Sequence, residues 1–219
     1  MRGRPAFRKT LKTYNNFKFL KINFKFLSSD LATLLSGRYI QIHVLPLSFI
    51  ADSLTSAGRP VSNVTIDKYL DALTACFVLY PAQRFDLKGK RILQTHAKYY
   101  LVDMDLRSLL TGKPMSNYGR ILGNLVFLEL KRRYEDVWIG KNNGGEIDFV
   151  VKTESGGLAY YQVAQSIRDE QTKRRELSAL EAVKDNYPKF LLTLDFETND
   201  HNGIRQLNAI DWLLGKKAP

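Results

Sequence analysis

The spacing of apolar and polar positions divides the chain into three stretches of different character. Between residues 58 and 115 a helix comes first: Ile66, Tyr69, Leu70, Leu73 and Phe77 fall on one stripe at helical spacing, which predicts a helix over 63–75. Gly58-Arg59-Pro60 breaks the chain ahead of it, and Val61-Ser62 supplies a staple and a cap. Phe77–Tyr80 then reads as a short strand, Arg84–Leu87 leads into a tight tip at Lys88-Gly89-Lys90, Arg91-Ile92-Leu93 follows, and Lys98–Asp103 is a further strand. From Asn117 the pattern changes. Ile121, Leu122, Leu125, Val126, Leu128 and Leu130 form a strongly apolar helix that ends at the charge run Lys131-Arg132-Arg133. Strands are predicted at 136–140, 146–151 and 158–164, the last two joined by a hairpin at 153–157. A polar helix follows over 169–185, then a buried strand at 190–194 and a closing helix at 210–214.

The stretch before residue 58 is less regular. Phe17, Phe19, Phe24 and Phe26 follow neither a helical nor a strand period, so residues 1–27 are expected to be a poorly ordered, protease-sensitive extension. Ser28-Ser29-Asp30 offers capping side chains to a short helix carrying Leu31, Leu34 and Leu35, which Gly37 can end. Tyr39–Leu45 reads as a strand closed by Pro46. That strand is expected to pack, with the rest of 28–50, on the following module or to self-associate.

Composition narrows the function classes. The 219 residues hold 33 Lys and Arg against 22 Asp and Glu, a net charge of +11. The surplus is local: nine basic residues face one acid, Asp30, over residues 1–50, whereas residues 116–219 carry fifteen of each. The basicity is therefore an N-terminal property and does not by itself indicate nucleic-acid binding. A single cysteine, Cys76, excludes an intramolecular disulfide and a cysteine-built zinc site, and a reducing cytoplasm is the expected compartment. No apolar run is long enough to span a membrane, so no membrane partner is expected.

Several words of the sequence resemble the C-terminal half of a group of uncharacterised prokaryotic AAA-type ATPases. They are Leu27–Tyr39 and Pro46–Phe49, then Val61-Ser62, Thr65-Ile66, Lys68-Tyr69-Leu70, Arg84, Asp86, Lys88-Gly89-Lys90, Lys98-Tyr99-Tyr100 and Asp103. The resemblance implies an α/β (α+β) chain in three parts. Residues 1–57 are a basic extension with a remnant of the ATPase core, 58–115 a winged-helix domain, and 116–219 a degenerate restriction-endonuclease-like domain. ATP hydrolysis is not expected. No phosphate-cradling G-x-x-x-x-G-K-[ST] occurs, Gly112-Lys113-Pro114 being an unrelated turn, and no cofactor is expected.

A helix followed by a hairpin outlines a winged helix, which either docks a partner or enters a DNA groove. The exposed helix face carries Asn63, Asp67, Lys68 and Asp71, and its two acids repel phosphate. The hairpin is better placed, with Arg84, Lys88, Lys90 and Arg91. Lys68 and these four are the expected contacts if DNA is bound, weakly and without sequence preference.

In active nucleases of the fold that the third part resembles, a helix Glu, a strand Asp and a Glu/Asp-x-Lys on the next strand hold a divalent metal and position the attacking water. Here Asp148 stands at the strand Asp, with Glu146 two residues before it. The second acid is Gln162, the Lys is Ala164, and the helix Glu is Gly123. Lys152 lies on the same strand face but at its far end. Glu146, Asp148 and Gln162 are thus remnants, and no metal is expected. Glu146 and Asp148 are expected to cap a turn or to pair with Arg132, Arg133 or Lys141. The reading is a truncated, noncatalytic binding module. The alternatives are a metal-dependent nuclease using Glu146 and Asp148, or a decayed gene product.

Overall fold

The computed structural model describes residues 47–103, 106, 118–142 and 145–216. The short helix and the strand expected at 31–45, with the self-association assigned to that strand, lie outside these residues. The described elements are helices α1 (Leu47–Ser56) and α2 (Asn63–Ala75), strands β1 (Leu79–Asp86) and β2 (Arg91–Leu101), helix α3 (Tyr118–Arg133), strands β3 (Val137–Asn142), β4 (Gly145–Lys152) and β5 (Leu158–Val163), helix α4 (Glu170–Glu181), strands β6 (Lys189–Thr193) and β7 (Ile204–Asn208), and helix α5 (Ala209–Leu213). The chain is mixed α/β, as expected. Among the described residues no helix is long and apolar enough to cross a membrane.

Two compact units form. The described residues up to Tyr80, with Leu101–Asp103, make the first. In it α2 begins where Ser62 accepts a hydrogen bond from the Thr65 amide at 3.2 Å. Ala51 of α1 and Ile66 of α2 are buried together, with Ile50, Val61 and Leu70 packed against them. After α2, Phe77 takes a left-handed conformation (φ 57°) and the Val78 amide returns to the Leu73 carbonyl, turning the chain into β1.

Pro81–Tyr100 and the described residues from Tyr118 onward make the second unit. One seven-stranded sheet runs in the order β2-β1-β3-β4-β5-β6-β7. Its middle is an antiparallel meander, β3-β4-β5, while β1 joins β3, β6 joins β5 and β7 joins β6 in parallel. Alternation along β4 sends neighbours to opposite faces. Phe149 meets Phe127 of α3 at a centroid distance of 5.9 Å, whereas Val150 clusters with Leu177, Ala179 and Leu180 of α4. The sheet is therefore covered on both sides.

The described residues do not show the winged helix expected at 58–115 as a module of its own. The hairpin of β1 and β2 extends the sheet. Phe85 stacks on Trp138 of β3 at 5.0 Å and Tyr100 on Phe127 of α3 at 4.0 Å, so the hairpin's apolar side chains are covered on both faces by residues far along the chain. The order α3-β3-β4-β5-α4-β6 is that predicted from residue 117 on. Strand β7 had no counterpart in the prediction, and α4 ends at Glu181 rather than 185, its last turn closed by the Ala182 and Val183 amides.

Gly140 requires its lack of a side chain. The ladder between β3 and β4 shifts register between Trp138 and Gly140. A Cβ on Gly140 would lie 2.8 Å from Val150 Cγ2 and 3.0 Å from Ile147 Cβ. This close approach sets the start of β4, where the candidate site lies.

Candidate functional site

The site forms where β4 and β5 stop pairing as a ladder. Backbone pairing runs from Lys152↔Leu158 to Phe149↔Tyr161. At the next position side chains take over from the backbone. The Asp148 amide donates to Gln162 Oε1 at 3.2 Å, and the Val163 amide donates to Asp148 Oδ2 at 2.9 Å. Gln162, itself buried, donates through Nε2 to Glu176 Oε2 of α4 at 2.7 Å. Glu176 Oε1 accepts from Arg175 Nη2 at 2.7 Å and Nε at 3.0 Å. One connected chain of hydrogen bonds thus joins Asp148, Gln162, Glu176 and Arg175.

Glu146 takes different partners from those expected. Its Oε2 meets Arg84 Nη1 of β1 at 2.9 Å and its Oε1 meets Lys98 Nζ of β2 at 3.4 Å. Arg132 and Arg133 instead hold Glu129 within α3, at 2.6 and 2.7 Å. These hydrogen bonds outweigh the opposing effect of burial and draw the Glu129 carboxyl below its ordinary range. Asp148 likewise pairs with none of the residues expected. Its anchors are the Val163 amide and Gln162.

Burial dominates the electrostatics. Desolvation pushes the Asp148 carboxyl up to about 6; Lys98 and the Val163 amide oppose this, while Glu176 and Glu146 add to it. Tyr100, two residues beyond Lys98, has its hydroxyl raised well above the ordinary value by burial first and then by Asp148 and Glu146. Lys98 Nζ also lies 5.8 Å from the Tyr100 ring centroid. Of the three acids, Glu146 is paired with Arg84 and Lys98 and Glu176 with Arg175, while the Asp148 carboxylate is held by the Val163 amide. Among the described residues no group of three or more His, Cys, Asp or Glu side chains is placed to hold a metal ion.

The remaining candidates separate. Ala164 is buried and offers no proton, and Gly123 on α3 faces open space. Lys152 is exposed at the opposite end of β4. Lys88, Lys90 and Arg91 stand exposed at the hairpin tip, which is shaped by Asp86 Oδ1 accepting from the Lys88 amide at 3.1 Å and by Lys90 in a left-handed conformation (φ 47°). Arg84 does not share that exposure, because Glu146 engages it. Lys68 is exposed on α2 with Asp67 and Asp71 beside it in sequence.

Four residues of the site, Lys98, Tyr100, Arg175 and Glu176, did not enter the predicted set. Glu176 carried a readable signal: it stands directly before Leu177 and four residues before Leu180, both buried, so it is an acid on the apolar stripe of its helix.

Sequence comparison finds two relatives. An uncharacterised protein of Haemophilus influenzae is 42% identical over 168 residues, covering 76% of this chain and 41% of that protein. An uncharacterised protein of Methanocaldococcus jannaschii is 35% identical over 142 residues, covering 62% of this chain and 30% of that protein. The chain therefore spans less than half the length of either relative. No family model matches the sequence, and no solved structure matches it.

Proposed function

We propose that the chain is a noncatalytic binding module on a restriction-endonuclease-like frame, within the AAA-type ATPase family it resembles. Its ligand is the phosphate backbone of DNA, bound weakly and without sequence preference. The observation that carries this reading is the internal neutralisation of the β4/β5 mouth. A metal-dependent nuclease needs carboxylates open to a divalent ion and a lysine beside the water. Here Glu146 is held by Arg84 and Lys98, Glu176 by Arg175 and Gln162, and Ala164 stands where the lysine belongs. Charge free to meet phosphate is found instead at the hairpin tip, on Lys88, Lys90 and Arg91. The single Cys76 agrees with a reducing cytoplasmic setting.

Two measurements test the reading. Supercoiled plasmid incubated with magnesium or manganese stays intact, and a labelled duplex binds with an affinity that falls steeply as salt rises. Cleavage abolished by Asp148→Ala would establish the nuclease reading instead. Tight, salt-resistant binding to one sequence would show that a base-reading surface exists.

A further inference from the structure

We propose that Arg84 and Lys98 form a phosphate subsite whose resident occupant is the Glu146 carboxylate, so that Glu146 is an internal competitor for the anion. The proposal rests on the phosphate-binding reading above and deepens it by assigning a second, gated contact.

The geometry carries it. The two oxygens of one carboxylate are split between two cations on two different strands, Oε2 to Arg84 Nη1 at 2.9 Å and Oε1 to Lys98 Nζ at 3.4 Å. Two oxygens of a phosphate group can present the same acceptors to a guanidinium fork and an ammonium. The burial is unequal. The Arg84 and Lys98 side chains are 16% and 19% exposed, whereas that of Glu146 is 37% exposed. The cations are the fixed members of the trio and the anion is the outer one. Glu146 is also the second residue of β4, directly after Gly145 with its φ of 135°, so it sits at the end of the strand rather than within it. Lys98 is steadied over the Tyr100 ring.

Release of Glu146 leaves two preplaced cations at the surface without their acid, and desolvated cations bind anions more strongly than solvated ones. The other acid facing this pair is Asp148, which attracts Lys98 and is engaged by the Val163 amide. Tyr100 faces it with an un-ionised hydroxyl. With Asp148 beside Lys98, the subsite fits a single phosphate group rather than a polyphosphate.

The test compares Glu146→Gln with Glu154→Gln, a control that removes one acid from the exposed 153–157 hairpin. Binding of a short duplex and of inorganic phosphate is measured for each, beside the wild type. Glu146→Gln is expected to raise duplex affinity about tenfold over Glu154→Gln and to bind phosphate more tightly than the wild type, and adding Arg84→Gln removes both gains. Equal affinities in the two single variants would overturn the subsite. Phosphate binding by Glu146→Gln without any duplex binding keeps the subsite as a small-anion site and sinks the DNA reading. Duplex binding lost in Lys88→Ala/Lys90→Ala but unchanged in Glu146→Gln does the reverse. If Glu146→Gln does not fold, the wild type carries the test. Phosphate, against chloride at equal ionic strength, raises its melting temperature but not that of Arg84→Gln, and equal shifts overturn the proposal.

Discussion

Arg84 and Arg91 lie seven residues apart on one hairpin and carry the same charge, yet they do different things. Arg84 is drawn into the β4/β5 mouth and shares a carboxylate with Lys98. Arg91, with Lys88 and Lys90, stays in water at the tip. The Arg84 and Lys98 charges in the mouth are largely buried and are matched within the protein by Glu146, so they belong to the fold. Charge at the tip is exposed and has no ion-pair partner among the described residues, so it is available to a partner. Residue type does not separate the two roles; the presence of a facing acid does.

If that contrast is right, damage in the mouth shows up as lost stability. The largest effect is expected from Gln162→Leu, which leaves the Asp148 amide without its acceptor and Glu176 with Arg175 alone. Denaturant unfolding should show a loss of about 3 kcal/mol, since a buried carboxylate and a buried amide are both left short of partners. A loss below 1 kcal/mol would mean that the network is better hydrated than its burial implies.

Asp148→Asn should act in the opposite direction. The folded-state value near 6 lies above the ordinary 3.8, so between these values the native protein binds a proton that the unfolded chain does not. Stability from this group is therefore full below about pH 4 and falls as pH rises through 6. At 1.36 kcal/mol per unit the ceiling of this penalty is about 3 kcal/mol. Asparagine keeps an acceptor for the Val163 amide and removes the penalty. We expect a gain of about 2 kcal/mol at pH 7.5, and a flatter stability profile between pH 4 and 7. No gain at pH 7.5 would mean that Lys98 compensates the charge fully.

Arg84→Ala comes next. Glu146 keeps Lys98 and is partly exposed, so the loss is expected to be about 1 kcal/mol and to shrink in high salt. The smallest stability change is expected at the tip. Lys88→Ala/Lys90→Ala/Arg91→Ala should move stability by less than about 0.5 kcal/mol while lowering duplex affinity at least tenfold and flattening its salt dependence by about three phosphate contacts. A large drop in stability would erase the distinction between the two regions.

Local features of the fold were legible in the sequence, and long-range ones were not. The cap at Ser62, the stripe of α2, the hairpin at 153–157 and the start of α4 at its Asp169 cap are decided by neighbours within a turn or two, and each is where the pattern puts it. The membership of β1 and β2 in the sheet depends on Trp138 and Phe127, which no local window contains. Strand β7 escaped because Arg205 and Gln206 interrupt the apolar pattern of Ile204-Arg205-Gln206-Leu207; Gln206 is nevertheless buried on hydrogen bonds to Thr193 and the Glu197 carbonyl. In the site, Asp148 and Gln162 were marked by the family resemblance rather than by local pattern. The partners of Glu146 were not, because Arg84 and Lys98 reach it from strands whose position in the sheet the sequence did not disclose.

The parallel pairing of β1 with β3 also bears on how the chain reaches this state. Arg84 aligns with Ile139, more than fifty residues later, whereas β3, β4 and β5 follow one another through short turns. The meander can close early and cheaply in chain entropy, but the hairpin has no surface to dock on until it exists. During synthesis the hairpin leaves the ribosome before its docking surface has been made, with Phe85 and Tyr100 uncovered and waiting. A nascent chain stalled before Val137 is therefore the species in which these aromatic faces are open to chaperones or to a neighbouring chain.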